Sequence, residues 1–417
     1  MANRPRKQKQ PERVGGLASK VERAQALETI ARAFTRPQHL EGHMLKSLWQ
    51  APIFDPEHTR VVVAEGRVVS TVVLGPRTIR FCPAAVPAMT VGPVATHDHY
   101  RKQNFAALAM EDATRYMKEH GVLVAYLQGI PNFYYRFGYY PFLAWSNAKF
   151  DRSKAASESL PGRLRRMTRK DLPDVRRLYD AASRDRICTA ERDDVVWNWL
   201  LTRGTKTWLF RSPRVILDGD GHTTGYVTGE PRNELRISEV VIRQNESGCR
   251  AALGALVREA KRQESKQITL DRIPWDASLA VFLRQYVDAE FTLRSHATGG
   301  PLMLIVDFPR LMQELTPLFS ERWREARTRL SNVRFTFETD GETVGLTVSR
   351  NGVAVGKSTA APTVRVPRRW LSGLLTGYYA VDDVASRKGA KVPRDLKPVL
   401  DILFPKGWPF VYKGDDY

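Results

Sequence analysis

A tyrosine-rich segment holds the side chains of this sequence that are best suited to acid–base chemistry. Residues 122–127 form an apolar run that is typical of a buried strand ending near Gly129. Six aromatic residues, one arginine and one glycine follow over 133–140. The phenol of Tyr134, at the end of this strand, could be held against a reacting group. On composition alone the same rings could instead fill a core, because aromatic side chains dominate buried area.

A basic turn lies upstream, between a predicted strand at 88–96 and a predicted helix at 105–120. The helix is predicted because apolar residues recur there at helical spacing and Gly121 stands where a helix stops. Arg101 and Lys102 lie in the turn, beside free backbone N–H groups at the positive end of the helix. Such a turn can bind a pyrophosphate, although a solvated charge cluster is the commoner meaning of the same pattern.

Taken together, the two segments resemble the GNAT superfamily of N-acetyltransferases. The acetyl-CoA motif of that superfamily reads Arg/Gln-x-x-Gly-x-Gly/Ala, and Arg101 and Ala106 match its first and last positions. Asn104 replaces the central glycine; asparagine tolerates the left-handed backbone region, at a cost of about 1–2 kcal/mol. The resemblance implies acetyl-CoA as co-substrate. The residues implied to bind it are Val94, Ala95, Thr96, Arg101, Lys102, Gln103, Asn104, Phe105 and Ala106.

The aromatic segment indicates one family within this superfamily. Residues 134–139, Tyr-Tyr-Arg-Phe-Gly-Tyr, resemble the Tyr-x-Arg-Phe-Gly-Tyr segment of the enhanced-intracellular-survival (Eis-type) acetyltransferases. That family joins two tandem GNAT-like mixed-sheet domains to an α+β domain shaped like a sterol carrier protein. The predicted fold class is therefore α/β (α+β). The predicted divisions are a disordered basic arm at 1–18, an acetyl-CoA-binding GNAT domain at 19–150, a second GNAT-like domain at 163–304 and a sterol-carrier-like domain at 305–417.

The implied reaction is direct attack of a neutral primary amine on the acetyl-CoA thioester in a ternary complex. The carbonyl oxygen needs a hydrogen-bond donor, and the departing thiolate needs a proton or a donor. Tyr134 is the candidate general acid, because a phenol of pKa about 10 stays protonated at neutral pH. In the Eis-type family the last residue enters the active site, so the carboxylate of Tyr417 is the candidate base or orienting group. Its ordinary pKa of about 3.5 favours orientation of the amine through water.

Four other residues are candidates for the acceptor site. The GNAT plan places Phe34 and Trp49 in the channel walls, with core packing as the other interpretation of both. The tail at 408–417 is aromatic, which predicts that it is docked, and Asp415 and Asp416 are expected to attract a cationic acceptor. The resemblance implies a small-molecule amine or a protein lysine as acceptor, without identifying it, and a homo-oligomer, a hexamer in that family.

The remaining patterns predict the elements that position these residues. Ser19 and Glu22 have the spacing of a capping box, and a second short helix is expected at about 39–48. Residues 243–248 of the second domain have neither the basic pair nor the glycines of a phosphate loop, so that domain is expected to bind no acetyl-CoA. Further strands are predicted at 60–64, 68–74, 78–81, 164–167, 207–217, 223–229, 235–243, 267–272, 333–339 and 343–350. Further helices are predicted at 247–263, 276–287, 308–330, 368–376 and 393–404.

Composition is that of a globular protein with more than one core. The chain has 417 residues, of which 42% are hydrophobic and 26% charged. No apolar run reaches the roughly 18 residues of a membrane helix, and the three cysteines lack metal or redox spacing, so we expect a cytoplasmic protein without membrane contact. The net charge of +20 attracts polyanions without establishing a nucleic-acid function, and no nucleic-acid-binding motif is evident.

Two patterns could suggest metal binding, and neither is assigned a metal. Asp218-Gly219-Asp220-Gly221-His222 lacks the glutamate of a calcium loop and is better explained as a hairpin turn. His97 and His99 have no evident third ligand.

Two other functions remain open from the sequence. One is a lipid or CoA binding module that kept the fold while Asn104 weakened cofactor affinity, and the other is polyanion recruitment by the basic arm.

Overall fold

The structure is a computed structural model that describes residues 10–34, 49, 55–155, 160–207, 209–231, 234–328, 330, 332–358 and 362–416. The strands of this described part are β1 (Arg13–Gly15), β2 (Thr59–Ala64), β3 (Arg67–Phe81), β4 (Ala84–Thr96), β5 (Val124–Gly129), β6 (Tyr140–Pro141), β7 (Trp145–Asp151), β8 (Arg163–Arg166), β9 (Arg214–Leu217), β10 (Thr223–Pro231), β11 (Leu235–Ile242), β12 (Gln267–Leu270), β13 (Ala289–Arg294), β14 (Gly300–Ile305), β15 (Val333–Thr339), β16 (Glu342–Ser349), β17 (Gly352–Gly356) and β18 (Thr363–Arg365). The α-helices are α1 (Lys20–Ala33), α2 (Phe105–Glu119), α3 (Leu172–Ser183), α4 (Asp194–Thr202), α5 (Glu246–Arg262), α6 (Ser278–Tyr286), α7 (Phe308–Glu314), α8 (Thr316–Glu325), α9 (Arg368–Leu375), α10 (Val381–Ala385) and α11 (Lys397–Leu403).

Two seven-stranded mixed sheets share one topology. The first has the order β1-β2-β3-β4-β5-β14-β6, and the second, from its opposite end, has the order β8-β9-β10-β11-β12-β7-β13. In each sheet one parallel pair, β4 with β5 and β11 with β12, is joined by a long helix, α2 or α5. The mixed α/β fold class predicted from the sequence is confirmed.

The two sheets exchange a strand. β7 precedes the second domain in sequence and pairs there with β12 and β13, whereas β14 follows that domain and pairs with β5 and β6 of the first sheet. Strand assignment therefore differs from the sequence-based divisions at 150 and 304. The hydrophobic patterns of β7 and β14 are compatible with either sheet. These patterns therefore do not specify which strand each one pairs with.

The third sheet, β17-β16-β15-β18, is formed by the C-terminal part of the chain, which also contains the helices α7 to α11. Its core is continuous with the near face of the first sheet, since Phe81 and Tyr126 belong to the same cluster as Phe337 and Leu403. The single long helix expected at 308–330 is wrong. The chain forms α7 and α8 instead, because Pro317 has no N–H to donate and therefore starts a helix rather than continuing one.

Two further sequence expectations change near the N-terminus. Arg13–Gly15 pair with β2 as an edge strand, and the Arg13 guanidinium forms an ion pair with Glu22, so the expected arm ends before residue 13. The strands expected at 68–74 and 78–81 are one strand, β3, paired with β4 along almost its whole length. The helix expected at about 39–48 lies outside the described residues. Ser19 caps α1 as expected, accepting a hydrogen bond from the Glu22 N–H at 3.1 Å.

None of the helices in the described ranges is both long enough and apolar enough to cross a lipid bilayer.

Candidate active site

A fork between two strands opens the main cavity of the first domain. β4 and β5 pair in parallel only from Ala88–Thr90 to Val124–Tyr126. Beyond Thr90, β4 continues for six residues without a β5 partner among the described residues, and its register against β3 shifts opposite Gly92 and Pro93. A bulge of this kind bends a strand and leaves backbone groups unpaired. The edge of β4 that faces β5 can therefore hydrogen-bond a ligand.

The cavity at this fork has a volume of about 800 Å³, within the range of small-molecule sites. Its walls come from β4, the start of α2, the end of α1 and the aromatic segment after β5. The lining residues are Ala33, Phe34, Val91, Gly92, Pro93, Val94, Ala95, Thr96, Tyr100, Arg101, Lys102, Asn104, Phe105, Ala106, Ala107, Gln128, Ile130, Phe133, Tyr134 and Arg136. The structure thus brings together nearly all of the residues that the sequence assigned to the cofactor.

The start of α2 presents unsatisfied backbone donors to this cavity. Asn104 precedes the helix in the left-handed region, with φ 67° and ψ 4°, and its side chain does not cap the helix. The N–H groups of Ala107 and Leu108 both donate to the Asn104 carbonyl. Those of Phe105 and Ala106 have no acceptor among the described residues, and the first N–H groups of a helix attract anions.

Basic side chains also line the cavity. Lys102 and Arg136 make no ion pair with any described residue, and the Arg136 guanidinium lies 4.4 Å from the Phe133 ring centroid. Arg101 is half-exposed and forms an ion pair with Asp98 at 2.7 Å. Lys102 and Arg136 are thus the available cations for a phosphate group. Arg136 was not among the site residues predicted from the sequence, although it lies within the aromatic segment at 133–140.

Gln103 is the one predicted cofactor residue that the structure places outside the cavity lining. Its side-chain amide donates to the His99 carbonyl at 3.2 Å, back towards the preceding loop. The other eight residues predicted for the cofactor all line the cavity. Gln103 stands between two residues with positive φ, Lys102 at 61° and Asn104 at 67°.

Tyr134 is buried and lines the cavity. Its ring contacts those of Phe133 and Tyr139 edge-on, at centroid distances of 4.9 and 6.2 Å, and its residue exposure is 9%. Its hydroxyl has no hydrogen-bond partner among the described residues, although Tyr134 lines the cavity. Burial raises the pKa of Tyr134 to about 12. The phenol therefore stays protonated and remains available as a donor to a ligand.

No carboxylate or imidazole from the described part of the chain lines the cavity. The other tyrosine there, Tyr100, donates its hydroxyl to Glu65 at 2.6 Å. His97 is buried behind β4, its N–H donating to the Val69 carbonyl at 2.9 Å. Burial lowers the pKa of His97. A base for an attacking amine would have to come from water or from residues outside this lining.

The C-terminal tail reaches the edge of the same fork. The Tyr126 hydroxyl donates to the Asp415 carbonyl at 3.0 Å, and Tyr126 forms the last pair of β5 with β4. A further chain of contacts leads from Asp416 to the cavity: it pairs with Arg272 at 2.7 Å, and the Arg272 guanidinium lies 3.6 Å from the Trp145 ring centroid. The Trp145 indole then donates at 3.2 Å to Gln128, which lines the cavity. Tyr417 itself lies outside the described residues.

Asp415 and Asp416 are not free to attract an acceptor, contrary to the sequence expectation. Asp415 accepts from the Arg192 guanidinium at 2.7 Å and from the Tyr179 hydroxyl at 2.9 Å. Burial raises the pKa of Asp416, but the charges of Arg272 and Lys413 outweigh it and leave that pKa lowered. Both carboxylates are buried and ion-paired, so they hold the tail.

The two residues expected in the channel walls, Phe34 and Trp49, lie in different places. Phe34 lines the cavity together with Ala33, at the end of α1. Trp49 is only 5% exposed and packs in a core with Leu17 and Ile30 instead. Its indole N–H donates to the Thr59 hydroxyl at 3.1 Å. A large aromatic side chain in a segment that flanks a channel can equally well pack in the core behind that segment.

Among the described residues, one group of side chains with metal-ligating atoms comes within 4.8 Å of one another: Asp218, Asp220 and His222. The group lies in the turn before β10, on the surface of the second domain and away from the cavity. The Asp218 carboxylate accepts from the backbone N–H groups of Asp220 and His222 at 3.1 and 2.9 Å. Hydrogen bonds of this kind, from backbone N–H groups to an aspartate side chain, are typical of a turn.

Comparison with solved structures finds the same fold over nearly the whole chain. A conserved protein of unknown function from Enterococcus faecalis V583, described as a probable N-acyltransferase, is 14% identical with a TM-score of 0.76, covering 97% of this chain and 99% of that one. A GCN5-related N-acetyltransferase from Anabaena variabilis ATCC 29413 is 16% identical with a TM-score of 0.74, covering 97% and 100%. Eis1 from Mycobacterium abscessus is 15% identical with a TM-score of 0.66, covering 97% and 100%.

At these identities the likeness to solved structures concerns the fold. A comparison with curated proteins gave no match. A family model adds evidence from the sequence: residues 17–142 match the model described as an acetyltransferase (GNAT) domain. That segment contains β4, β5, α2 and all of the lining residues of the cavity. Residues 17–142 are therefore similar to a GNAT acetyltransferase domain.

Proposed function

We propose that this chain is an N-acetyltransferase that moves an acetyl group from acetyl-CoA to a primary amine. The observation that carries the proposal is the cavity of about 800 Å³ at the β4–β5 fork, which combines an open helix start with a buried, unpartnered phenol. The fold implies acyl transfer in general. The amine acceptor and the roles of individual residues are our proposal.

The cavity residues fit acetyl-CoA by type. Phe105 and Ala106 offer N–H groups and Lys102 and Arg136 offer charge, which suits the phosphates at the start of α2. The free edge of β4 at 94–96 suits an amide-containing pantetheine arm, because extended chains add to exposed strand edges. Bound there, acetyl-CoA supplies an activated acyl thioester.

Tyr134 is proposed to stabilise the leaving sulfur by donating a hydrogen bond. Full proton transfer from a phenol of pKa about 12 to a thiolate whose thiol has pKa about 8.5 is uphill by about 5 kcal/mol. Donation without transfer has no such cost, and it stabilises charge that develops only during the reaction. The backbone N–H groups of β4 polarise the acyl oxygen in the same way. This refines the general-acid role expected for Tyr134.

The amine is proposed to react in its neutral form after losing a proton to water. No carboxylate or imidazole from the described part of the lining can accept that proton. The charges of Lys102 and Arg136 near the cavity favour the neutral amine, because like charges lower the pKa of a cation. The carboxylate of Tyr417 is proposed to orient the amine at the cavity mouth, since Asp415 and Asp416 bring the tail to the edge of the fork.

The test is amine-dependent release of free CoA thiol. The protein and acetyl-CoA are incubated with a panel of primary amines that includes an aminoglycoside and a lysine-containing peptide, between pH 7 and 9. We expect release with at least one amine, rising with pH as the neutral fraction of the amine increases. A reaction without amine corrects for Cys82, the half-buried thiol. Acetyl-CoA binding without release at any pH would contradict the proposal and support a CoA-binding module.

A further inference from the structure

The second domain contains a fork equivalent to the one that forms the cavity. β11 and β12 pair in parallel over three residues, Leu235–Ile237 with Ile268–Leu270, as β4 and β5 do. Both sheets have the same strand order, so the positions can be matched from the last pair onwards. Two residues beyond that pair, Glu239 corresponds to Gly92, and Arg272 corresponds to Gln128.

The C-terminal tail fills the fork of the second domain. The Gly414 N–H donates to the Glu239 carboxylate at 2.8 Å, and the Tyr412 ring packs at 5.2 Å from that of Tyr179. The remaining space beside Tyr412 is about 10 Å³, barely enough for one water. The equivalent space in the first domain is about 800 Å³. The tail thus takes the place that a cofactor arm would need.

The helix start of the second domain is closed as well. Asn245 caps α5 by accepting a hydrogen bond from the Gly248 N–H at 2.9 Å. Its backbone is extended, at φ −151°, whereas Asn104 before α2 is left-handed and does not cap its helix. A self-capped helix start has fewer free donors for a phosphate. Two independent features therefore distinguish the second fork from the first.

A buried charge network fixes the tail in this fork. The Arg192 guanidinium donates to Asp415 at 2.7 Å and to both Glu239 oxygens at 2.9 and 3.1 Å. Tyr179 donates to the other Asp415 oxygen, and Tyr226 donates to Glu239 at 2.7 Å. These side chains are almost completely buried. Removal of the tail would leave the Arg192 Nε–H and the Tyr179 hydroxyl without Asp415, and a buried charge that loses a partner is strongly destabilising.

We propose that the cofactor fork of the second domain has become the binding site for the chain's own C-terminal tail, and that the Arg192–Asp415 pair is the positioning contact that holds the tail end at the mouth of the first domain's cavity. The consequence for turnover rests on the proposed function. The docking itself does not, because it follows from contacts between the tail and the second domain. The end of the tail is held from both sides, by Tyr126 of the first sheet and by Arg272 of the second domain.

The test uses the full chain with Asp415→Asn, which keeps the shape of the side chain and removes its charge. Carboxypeptidase digestion followed by mass spectrometry reports how firmly the tail is held, whether or not the protein is an enzyme. We expect the variant to lose its C-terminal residues at least about tenfold faster than the wild type. In the amine assay we expect kcat to fall roughly 10- to 100-fold, with the acetyl-CoA Kd changed less than about twofold.

The matched control is Asp401→Asn, an exposed carboxylate paired with Lys397 at the surface, which should change neither readout. Tyr179→Phe is a milder second variant. It removes a hydroxyl that lies 2.9 Å from Asp415 and 2.7 Å from the Ala190 carbonyl, and it should shift both readouts in the same direction. Equal digestion rates in wild type and Asp415→Asn would overturn the docking site. Faster digestion with unchanged kcat would overturn the positioning role. Absence of turnover in the wild type would remove the proposed function, while the digestion result would still decide the docking.

Discussion

At the scale of single residues, the candidate site depends on a few side chains left without protein partners. Tyr134, Lys102 and Arg136 all line the cavity, and none has a hydrogen-bond or ion-pair partner among the described residues. A buried polar group without a partner is costly, so the Tyr134 hydroxyl indicates a ligand that completes it. By contrast, Asp415 and Asp416 are fully paired and serve to hold the chain.

Tyr134→Phe separates catalysis from folding. We expect kcat for amine acetylation to fall roughly 100-fold, because one donor to developing charge is lost. Acetyl-CoA affinity and thermal stability should change little, since the Tyr134 hydroxyl bonds no described residue. Tyr139→Phe is the matched control. That hydroxyl is fully buried and does not line the cavity, so its removal should leave kcat unchanged. Equal rates for Tyr134→Phe and wild type in the thiol-release assay would exclude the donor role.

Asn104→Gly tests the departure from the phosphate-loop motif. Glycine adopts φ 67° without the cost that asparagine bears, and it adds no side chain near the phosphates. We expect acetyl-CoA to bind at least as tightly as in the wild type, by calorimetry. Asn104→Val, a β-branched residue in the left-handed region, should weaken binding and lower the melting temperature. Weaker binding by the glycine variant would show instead that the asparagine amide holds the ligand.

Gly129→Ala tests the position of the Tyr134 ring. A Cβ at Gly129 would lie 2.8 Å from Tyr134 Cδ2 and 2.7 Å from Leu302 Cδ1, so one of these side chains must shift. We expect a fall in kcat of roughly tenfold or more, with acetyl-CoA affinity preserved. Gly356→Ala, where a Cβ has no neighbour within 4 Å, provides the control. A Gly129→Ala enzyme with wild-type kcat would show that the ring position has no catalytic importance.

At the scale of elements, the sequence predicted features that depend on neighbouring residues better than pairings between distant segments. The helix expected at 105–120 is α2, and the strands expected at 333–339 and 343–350 are β15 and β16, joined by Asp340 and Gly341 at positive φ. These features depend on helical periodicity and turn chemistry, which neighbouring residues determine. The strand exchange of β7 and β14 depends on which distant edge is free, so it was not predictable from the sequence. The break in the helix expected at 308–330 is itself a local feature, because Pro317 starts α8.

Glu259 ties α5 to β9 and gives an element-scale prediction. It pairs with Arg262 at 2.6 Å and with Arg214, and these arginines, Arg262 foremost, lower the pKa of Glu259 to about 2. A carboxyl with a lowered folded-state pKa stabilises the fold above its unfolded pKa, about 4.5, and loses that contribution as the pH falls towards 2. Glu259→Gln should therefore be less stable than wild type at pH 7, by about 1–2 kcal/mol in denaturant titrations after allowance for solvent screening.

The difference between the two proteins should shrink as the pH falls from 4.5 towards 2, because the wild-type carboxyl becomes protonated. Glu246→Gln gives a matched control on the same helix, since that residue forms an exposed pair with Arg250. Its stability should equal that of the wild type within about 0.5 kcal/mol. A Glu259→Gln deficit that stays constant between pH 7 and pH 3 would show that packing, and not charge, accounts for it.

At the scale of the whole molecule, one topology is used for two purposes. Both sheets have a fork between parallel strands, yet only the first fork is open, and the second holds the C-terminal tail. The sequence predicted that the second domain would not bind acetyl-CoA, from its missing phosphate loop. What fills the second fork could not be predicted, because the tail lies about 175 residues from Glu239 in the chain. The strand exchange joins the two domains, so the tail can bridge them.

Acetyl-CoA binding to the wild-type chain, measured by calorimetry, tests the central claim most directly. We predict one site per chain, because the first fork is open and the second is filled. The affinity should decrease with added salt, since Lys102 and Arg136 contribute through their charge. Lys102→Ala should weaken binding, whereas Lys154→Ala, which removes an exposed charge paired with Asp288, should leave it unchanged. No detectable binding, or two equivalent sites per chain, would contradict the account.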